Sequence, residues 1–231
     1  MDDILEARFW LSLLQIIGVN IVLSGDNAVV IAMAARSLPV PQQGRAIALG
    51  SLAAIVMRVI LTVFAIELLK LPYLKLVGSV LLLFIAVQLL LPESDGEKPV
   101  KSRDTLFAAI KTILLADLVM SLDNVIGVAA AAKGDLTLLI LGLGISIPLI
   151  VFGSSLVLKL MERFPVVITL GGALLGYIAG DMAVNDAAIS AWVATNAAWL
   201  DHSAGTIAAL LVVGTGKWLT GRAQPEERRI I

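Results

Sequence analysis

Apolar residues fall along this chain in seven blocks, at about 10–34, 46–69, 72–91, 106–131, 136–158, 165–183 and 204–220. Each can cross the hydrocarbon core of a bilayer as a helix, which takes about 20 residues. The breaks carry turn chemistry: RSLPVPQQGR after the first block, Pro72 between the second and third, KGD after the fourth. The longest break, PESDGEKPVKSRD over 92–104, is polar, charged and holds two prolines, and reads as the one linker. The pattern predicts an all-α polytopic membrane protein of about seven transmembrane helices, built as a single transmembrane domain over 1–231.

Composition agrees. The chain is 59% apolar and 15% charged, with a mean hydropathy of +0.97. A soluble domain carries about 25% charged residues. The net charge of −1 conceals a segregation by loop. With seven spans, twelve of the 17 Lys and Arg residues fall on one side, four on the other, and Arg58 lies inside the second span. The positive-inside rule then places the N-terminus outside and the C-terminus in the cytoplasm. The acidic start, MDDILEAR, lacks the basic n-region of a cleaved signal, so the first span is expected to be retained. No basic run marks a nucleic-acid footprint. With no cysteine and one histidine, His202, the chain offers no disulfide and almost no soft-metal ligand. The outer stretch VNDAAISAWVATNAAWLDHS, 184–203, has no Lys or Arg and is expected to hold a short interfacial helix anchored by Trp192 and Trp199.

One block breaks the apolar rule at its centre. NIVLSGDNAVVIAMAA, 20–35, places Asp26 and Asn27 mid-span, behind Asn20 and Ser24. An ionised aspartate at the bilayer centre costs at least about 2.5–3.5 kcal/mol. Ninety-seven residues later DLVMSLDNVIGVAAAA, 117–132, repeats the pattern: Ser121, Asp123 and Asn124 match Ser24, Asp26 and Asn27, and Asp117 matches Asn20. A weaker likeness joins LLLFIAVQ at the end of the third span to GALLGYIAGD at the end of the sixth. The repeat spans three helices, about 10–91 and about 106–183, so the second copy enters the membrane the other way up. The last helix, 204–220, stands outside this inverted 3+3 arrangement.

At 100° per residue, Asn20, Ser24 and Asn27 share one helix face, and so do Asp117, Ser121 and Asn124, with Met120 near the latter. Asp26 and Asp123 lie about 100° away from the asparagine that follows each. Either each aspartate reaches a neighbouring helix, or the helix unwinds at Gly25, where the second copy has Leu122.

The inventory is oxygen throughout. Carboxylates with carboxamide oxygens suit a hard or borderline divalent cation such as Mg²⁺, Ca²⁺ or Mn²⁺. Asp26, Asn27, Asp123, Asn124, Asp117 and Asn20 are therefore the candidate metal ligands, with Ser24, Ser121, Gly25 and Met120 around them. Facing carboxylates repel, and a proton or a divalent cation relieves the repulsion, which is how a proton antiporter would be coupled. The polar residues other than the aspartates read equally well as interhelical hydrogen bonding. Arg58 either pairs with Asp26 or Asp123 or holds the bundle together. Glu67 closes the outer end of the second span, and Asp181 is either a relay or an interfacial residue. No G-x-S-x-G, H-E-x-x-H or P-loop occurs, so no enzyme and no prosthetic cofactor is expected.

At SGDNAVVIAMA and DLVMSLDNVIGVAAA the sequence resembles the paired signatures of the TerC family of bacterial integral membrane proteins, nearest to its short, seven-span YjbE-type branch. The resemblance covers about 10–220. It implies a multi-pass protein of the bacterial inner membrane that exports Mn²⁺ from the cytoplasm, with Asp26, Asn27, Asp123 and Asn124 as ligands and Asp117 and Asn20 as helpers. Its expected partners are lipid, a divalent cation and protons, with an oligomer compatible. The rival readings are export of Ca²⁺ or an amino acid, and a non-transporting scaffold that delivers metal to secreted proteins.

Overall fold

The computed structural model describes residues 7–23, 25–68, 71–91, 102–132 and 135–223. Every regular element among them is α-helical: α1 (Ala7–Leu23), α2 (Gly25–Arg36), α3 (Val40–Leu68), α4 (Leu74–Leu90), α5 (Ser102–Ala132), α6 (Leu136–Arg163), α7 (Val166–Val184), α8 (Ser190–Asn196) and α9 (Leu200–Ala223). Four helices, α3, α5, α6 and α7, are individually long and apolar enough to span a membrane. The count rises to six when α1 with α2, and α8 with α9, are each taken as one bent span. The third predicted block is α4, whose 17 apolar residues lie at the lower limit for a crossing. Phe64, Phe84, Phe107, Phe152 and Leu210 all point outward. Their solvent is the acyl chains, because no aqueous fold exposes apolar area on this scale.

The polar linker expected over 92–104 lies outside the described residues as far as Lys101, and α5 begins at Ser102. Within the expected outer segment stands α8, with Val193 buried and Trp192 and Trp199 exposed. The axis turns by 108° between α8 and α9.

The chain forms two compact units. The first draws on Met1–Leu71 and Ser102–Lys159, so it holds α1, α2, α3, α5 and most of α6. Within it α5 packs on α1, α2 and α3, and α2 packs on α3. The second draws on Pro72–Lys101 and Leu160–Ile231, and here α7 packs on α4 and α9. Helices that correspond in the two copies thus share a unit: α1 and α2 with α5, and α4 with α7. The close approach of α7 to α9 depends on Gly176 and Gly180, a G-x-x-x-G pair on one face. A Cβ on Gly176 would lie 2.8 Å from the Ala209 Cα, and one on Gly180 would strike the Ala204 carbonyl.

The start of α4 is capped from a distance. Tyr73, its cap residue, is left-handed at φ 66° and supplies no side-chain cap bond. Asp186, fully buried in the α7–α8 connection, does so instead. Its Oδ1 accepts from the N–H groups of Tyr73 at 3.0 Å and Ala188 at 2.8 Å, and its Oδ2 from those of Lys75 at 2.9 Å and Leu76 at 3.1 Å. These include first-turn donors with no intrahelical partner. Burial pushes the Asp186 carboxyl up, but the four N–H groups together hold it below the usual carboxylate range.

Candidate cation site

The first copy of the repeat is bent, and the second runs as one helix. α1 ends at Leu23, α2 starts at Gly25, and the two axes differ by 50°. Ser24 lies outside the described residues. α5 runs unbroken from Ser102 to Ala132, through Leu122, the residue that stands where the first copy has Gly25.

Asp26 is the acid in the first turn of α2, where the positive end of the helix dipole favours an anion by about 0.3–1 kcal/mol. Its Oδ1 accepts from the Asn27 N–H at 2.8 Å. Asp26 is half-buried, while Asn27 behind it is only 3% exposed. Neither the Oδ1 nor the Nδ2 of Asn27 has a hydrogen-bond partner among the described residues. Each such orphan costs about 1–3 kcal/mol. Carboxamide and carboxylate oxygens are both donors of the kind a hard cation takes.

A second polar group sits where α1, α3 and α5 meet. Arg58, 1% exposed on α3, donates from Nε to Ser121 Oγ at 3.0 Å, from Nη1 to Asn20 Oδ1 at 2.7 Å, and from Nη2 to Asp117 Oδ1 at 2.6 Å. Ser121 Oγ donates in turn to Asp117 Oδ2 at 3.1 Å, as their i, i+4 spacing on α5 allows. Asn20, Asp117 and Ser121 are all buried. A buried guanidinium is tolerable only when a counter-charge and enough acceptors surround it, and these three residues supply both.

The structure therefore divides the candidate ligands. Asn20 and Asp117 are engaged by Arg58, whereas Asp26 and Asn27 lie on α2 at the helix break. Among the described side chains Arg58 pairs with Asp117, an acid that sequence reasoning did not name beside Asp26 and Asp123. Asp123 belongs to α5, and its side chain lies outside the described residues, as does that of Glu67 on α3. Asn124 is half-buried on α5, Met120 is buried on the same helix, and Asp181 is exposed near the end of α7. No three His, Cys, Asp or Glu side chains come together as a metal cluster among the described residues. Sequence reasoning missed Asp186. Its one local signal is the bond to the Ala188 N–H two residues on, and nothing in the sequence ties it to 73–76.

A family model described as integral membrane protein TerC family matches residues 5–224. The chain is 44% identical over 211 residues to the uncharacterized membrane protein YjbE of Bacillus subtilis (strain 168), covering 91% of this chain and 93% of that one. It is similar at 24% identity to YkoY of the same organism, over 98% of this chain and 77% of the relative. YceF, also from that organism, is 27% identical over 70% of this chain and 66% of its own length. No solved structure matches. A duplicated SxDN signature inside apolar helices, and a family match along nearly the whole length, place the chain in the TerC family of integral membrane proteins.

Proposed function

We propose that the protein exports a divalent metal cation, Mn²⁺ foremost, from the cytoplasm of a bacterium across its inner membrane, and that it is not an enzyme. The observation that carries this reading is the buried, unpartnered carboxamide of Asn27 beside the Asp26 carboxylate at the break between α1 and α2. An orphaned polar group inside a span is costly, and a hard cation that takes its oxygen relieves the cost. Interrupted helices within inverted repeats are where transporters commonly hold substrate. The donors are oxygen, the chain has no cysteine, and its one histidine, His202, is exposed on α9. Such a set suits Mn²⁺, Mg²⁺ or Ca²⁺, and the TerC resemblance favours Mn²⁺ among them. By the repeat, Asp123 and Asn124 are the second-copy ligands. The aspartates also bind protons, so cation export is coupled to proton entry, and the site needs no prosthetic group. The distribution of Lys and Arg puts the N-terminus outside.

The test is ⁵⁴Mn²⁺ uptake into everted vesicles energised with a pH gradient. The wild type accumulates the ion, whereas Asp26→Ala and Asp123→Ala, expressed to the same level, do not. Full uptake by both variants rules out the site. Uptake that persists after the gradient is collapsed removes antiport and leaves export standing. Excess Mg²⁺ or Ca²⁺ that fully displaces ⁵⁴Mn²⁺ would reassign the cargo.

A further inference from the structure

Arg58 is not among the ligands proposed above, and it is among the largest side chains fully buried in the protein. Its acceptors come from both copies of the repeat: Asn20 from the first, Asp117 and Ser121 from the second. Asn20 and Asp117 occupy equivalent positions in the two signatures. The position is acidic only in the second copy, and the cation is likewise single. VFGSS at 151–155, the part of the second copy that corresponds to the surroundings of Arg58, has no basic residue. One carboxylate and one guanidinium therefore form a neutral pair that draws on both copies of the repeat.

The acceptor set is informative. A carboxylate, a carboxamide oxygen and a hydroxyl are the oxygens that a hard divalent cation takes, and here a guanidinium holds all three. α2, which carries Asp26 and Asn27, packs on α5, which carries Asp117 and Ser121.

We propose that Arg58 is a tethered stand-in for the transported cation. It holds Asp117, Asn20 and Ser121 while the site is empty, and Asp117 passes to the metal when the guanidinium withdraws. This deepens the export reading, rests on it, and adds a specificity-determining residue. The exchange keeps a positive charge beside Asp117 throughout the cycle, so the carboxylate is never left bare in the span. A merely structural pair behaves differently, because buried ion pairs can often be replaced by well-packed apolar residues without loss of fold.

Two measurements test the proposal: equilibrium binding of ⁵⁴Mn²⁺ to the purified protein in detergent, and uptake into everted vesicles. Arg58→Gln should bind Mn²⁺ at least tenfold more tightly than the wild type, because Asp117 then joins the ligands without a competing cation. Adding Asp117→Asn to that variant should abolish the gain. The double variant Arg58→Met/Asp117→Leu should fold, giving a single monodisperse peak, and lose at least tenfold in uptake rate. A folded Arg58→Gln protein with wild-type affinity overturns the proposal, as does a double variant with wild-type uptake. If Arg58→Gln does not fold, the double variant decides. A wild type that neither binds nor carries Mn²⁺ overturns the export reading and this one together, whereas the variant results overturn this one alone.

Discussion

Replacing Asp186 by alanine should unfasten the start of α4 and leave the chemistry of the first unit alone. Four N–H groups converge on this carboxylate at 2.8–3.1 Å, three of them from Tyr73, Lys75 and Leu76. A hydrogen bond to a charged group is worth about 1.5–3 kcal/mol when broken singly. Four bonds to one carboxylate do not add, and water can reach the connection once the side chain is cut back, so the combined loss is about 3 kcal/mol. The assay is amide hydrogen exchange by mass spectrometry on a peptide covering 73–80. About 3 kcal/mol corresponds to exchange faster by roughly two orders of magnitude at Lys75 and Leu76. Asp186→Asn should fall between, because its amide nitrogen would face two of the donors. The pH dependence has a definite sign. The folded carboxyl is held below its ordinary range, so its contribution is complete above the unfolded value of about 3.9. That contribution is lost only as pH falls through the lower folded value. Protection at 75–76 should therefore be flat from about pH 8 to pH 5 and collapse in stronger acid. Unchanged exchange at these amides in Asp186→Ala would refute the clasp.

Other expectations concern the site, the packing and the topology. Asn27→Leu should leave thermal stability unchanged or raise it by about 1 kcal/mol, since it removes orphaned polar atoms, while abolishing ⁵⁴Mn²⁺ uptake; a destabilised but active protein would contradict both halves. Gly180→Leu should cost about 3 kcal/mol or more by driving α7 off the Ala204 backbone, read as loss of folded protein on size-exclusion chromatography. The chain has no cysteine, so single substitutions report topology cleanly. Ala188→Cys should react with an impermeant maleimide on intact cells, and Ser37→Cys only after permeabilisation; the reverse pattern would invert the assignment.

The helices and the duplicated signature were legible in the chain because burial in lipid leaves long apolar blocks, and an interrupting Asp-Asn stands out against them. The wheel arithmetic pointed to unwinding at Gly25, but Gly25, Asp26 and Asn27 are all helical residues of α2, and the bend falls before them. The partner of Arg58 was not legible. The sequence offered Asp26 or Asp123 to this side chain on α3, and the packing of α3 on α5 sets Asp117 at 2.6 Å from it. Asp186 was hidden for the same reason, since three of its four donors lie more than a hundred residues upstream. Nor could the chain show that its third and sixth spans would leave their neighbours to form a second unit with α9, because each block is equally apolar whichever helix it meets.

That grouping has a consequence for synthesis. α4 is complete at Leu90, but its partners in the second unit, α7 and α9, end at Val184 and Ala223. At about 5–20 residues per second, α4 waits on the order of 5–20 s in the membrane before α7 has been made. The first unit, by contrast, has all its sequence by Lys159 and can close while α4 is still alone. A chain arrested before Leu200 would carry a finished first unit, with the glycine face of α7 open to lipid and nothing to cover it.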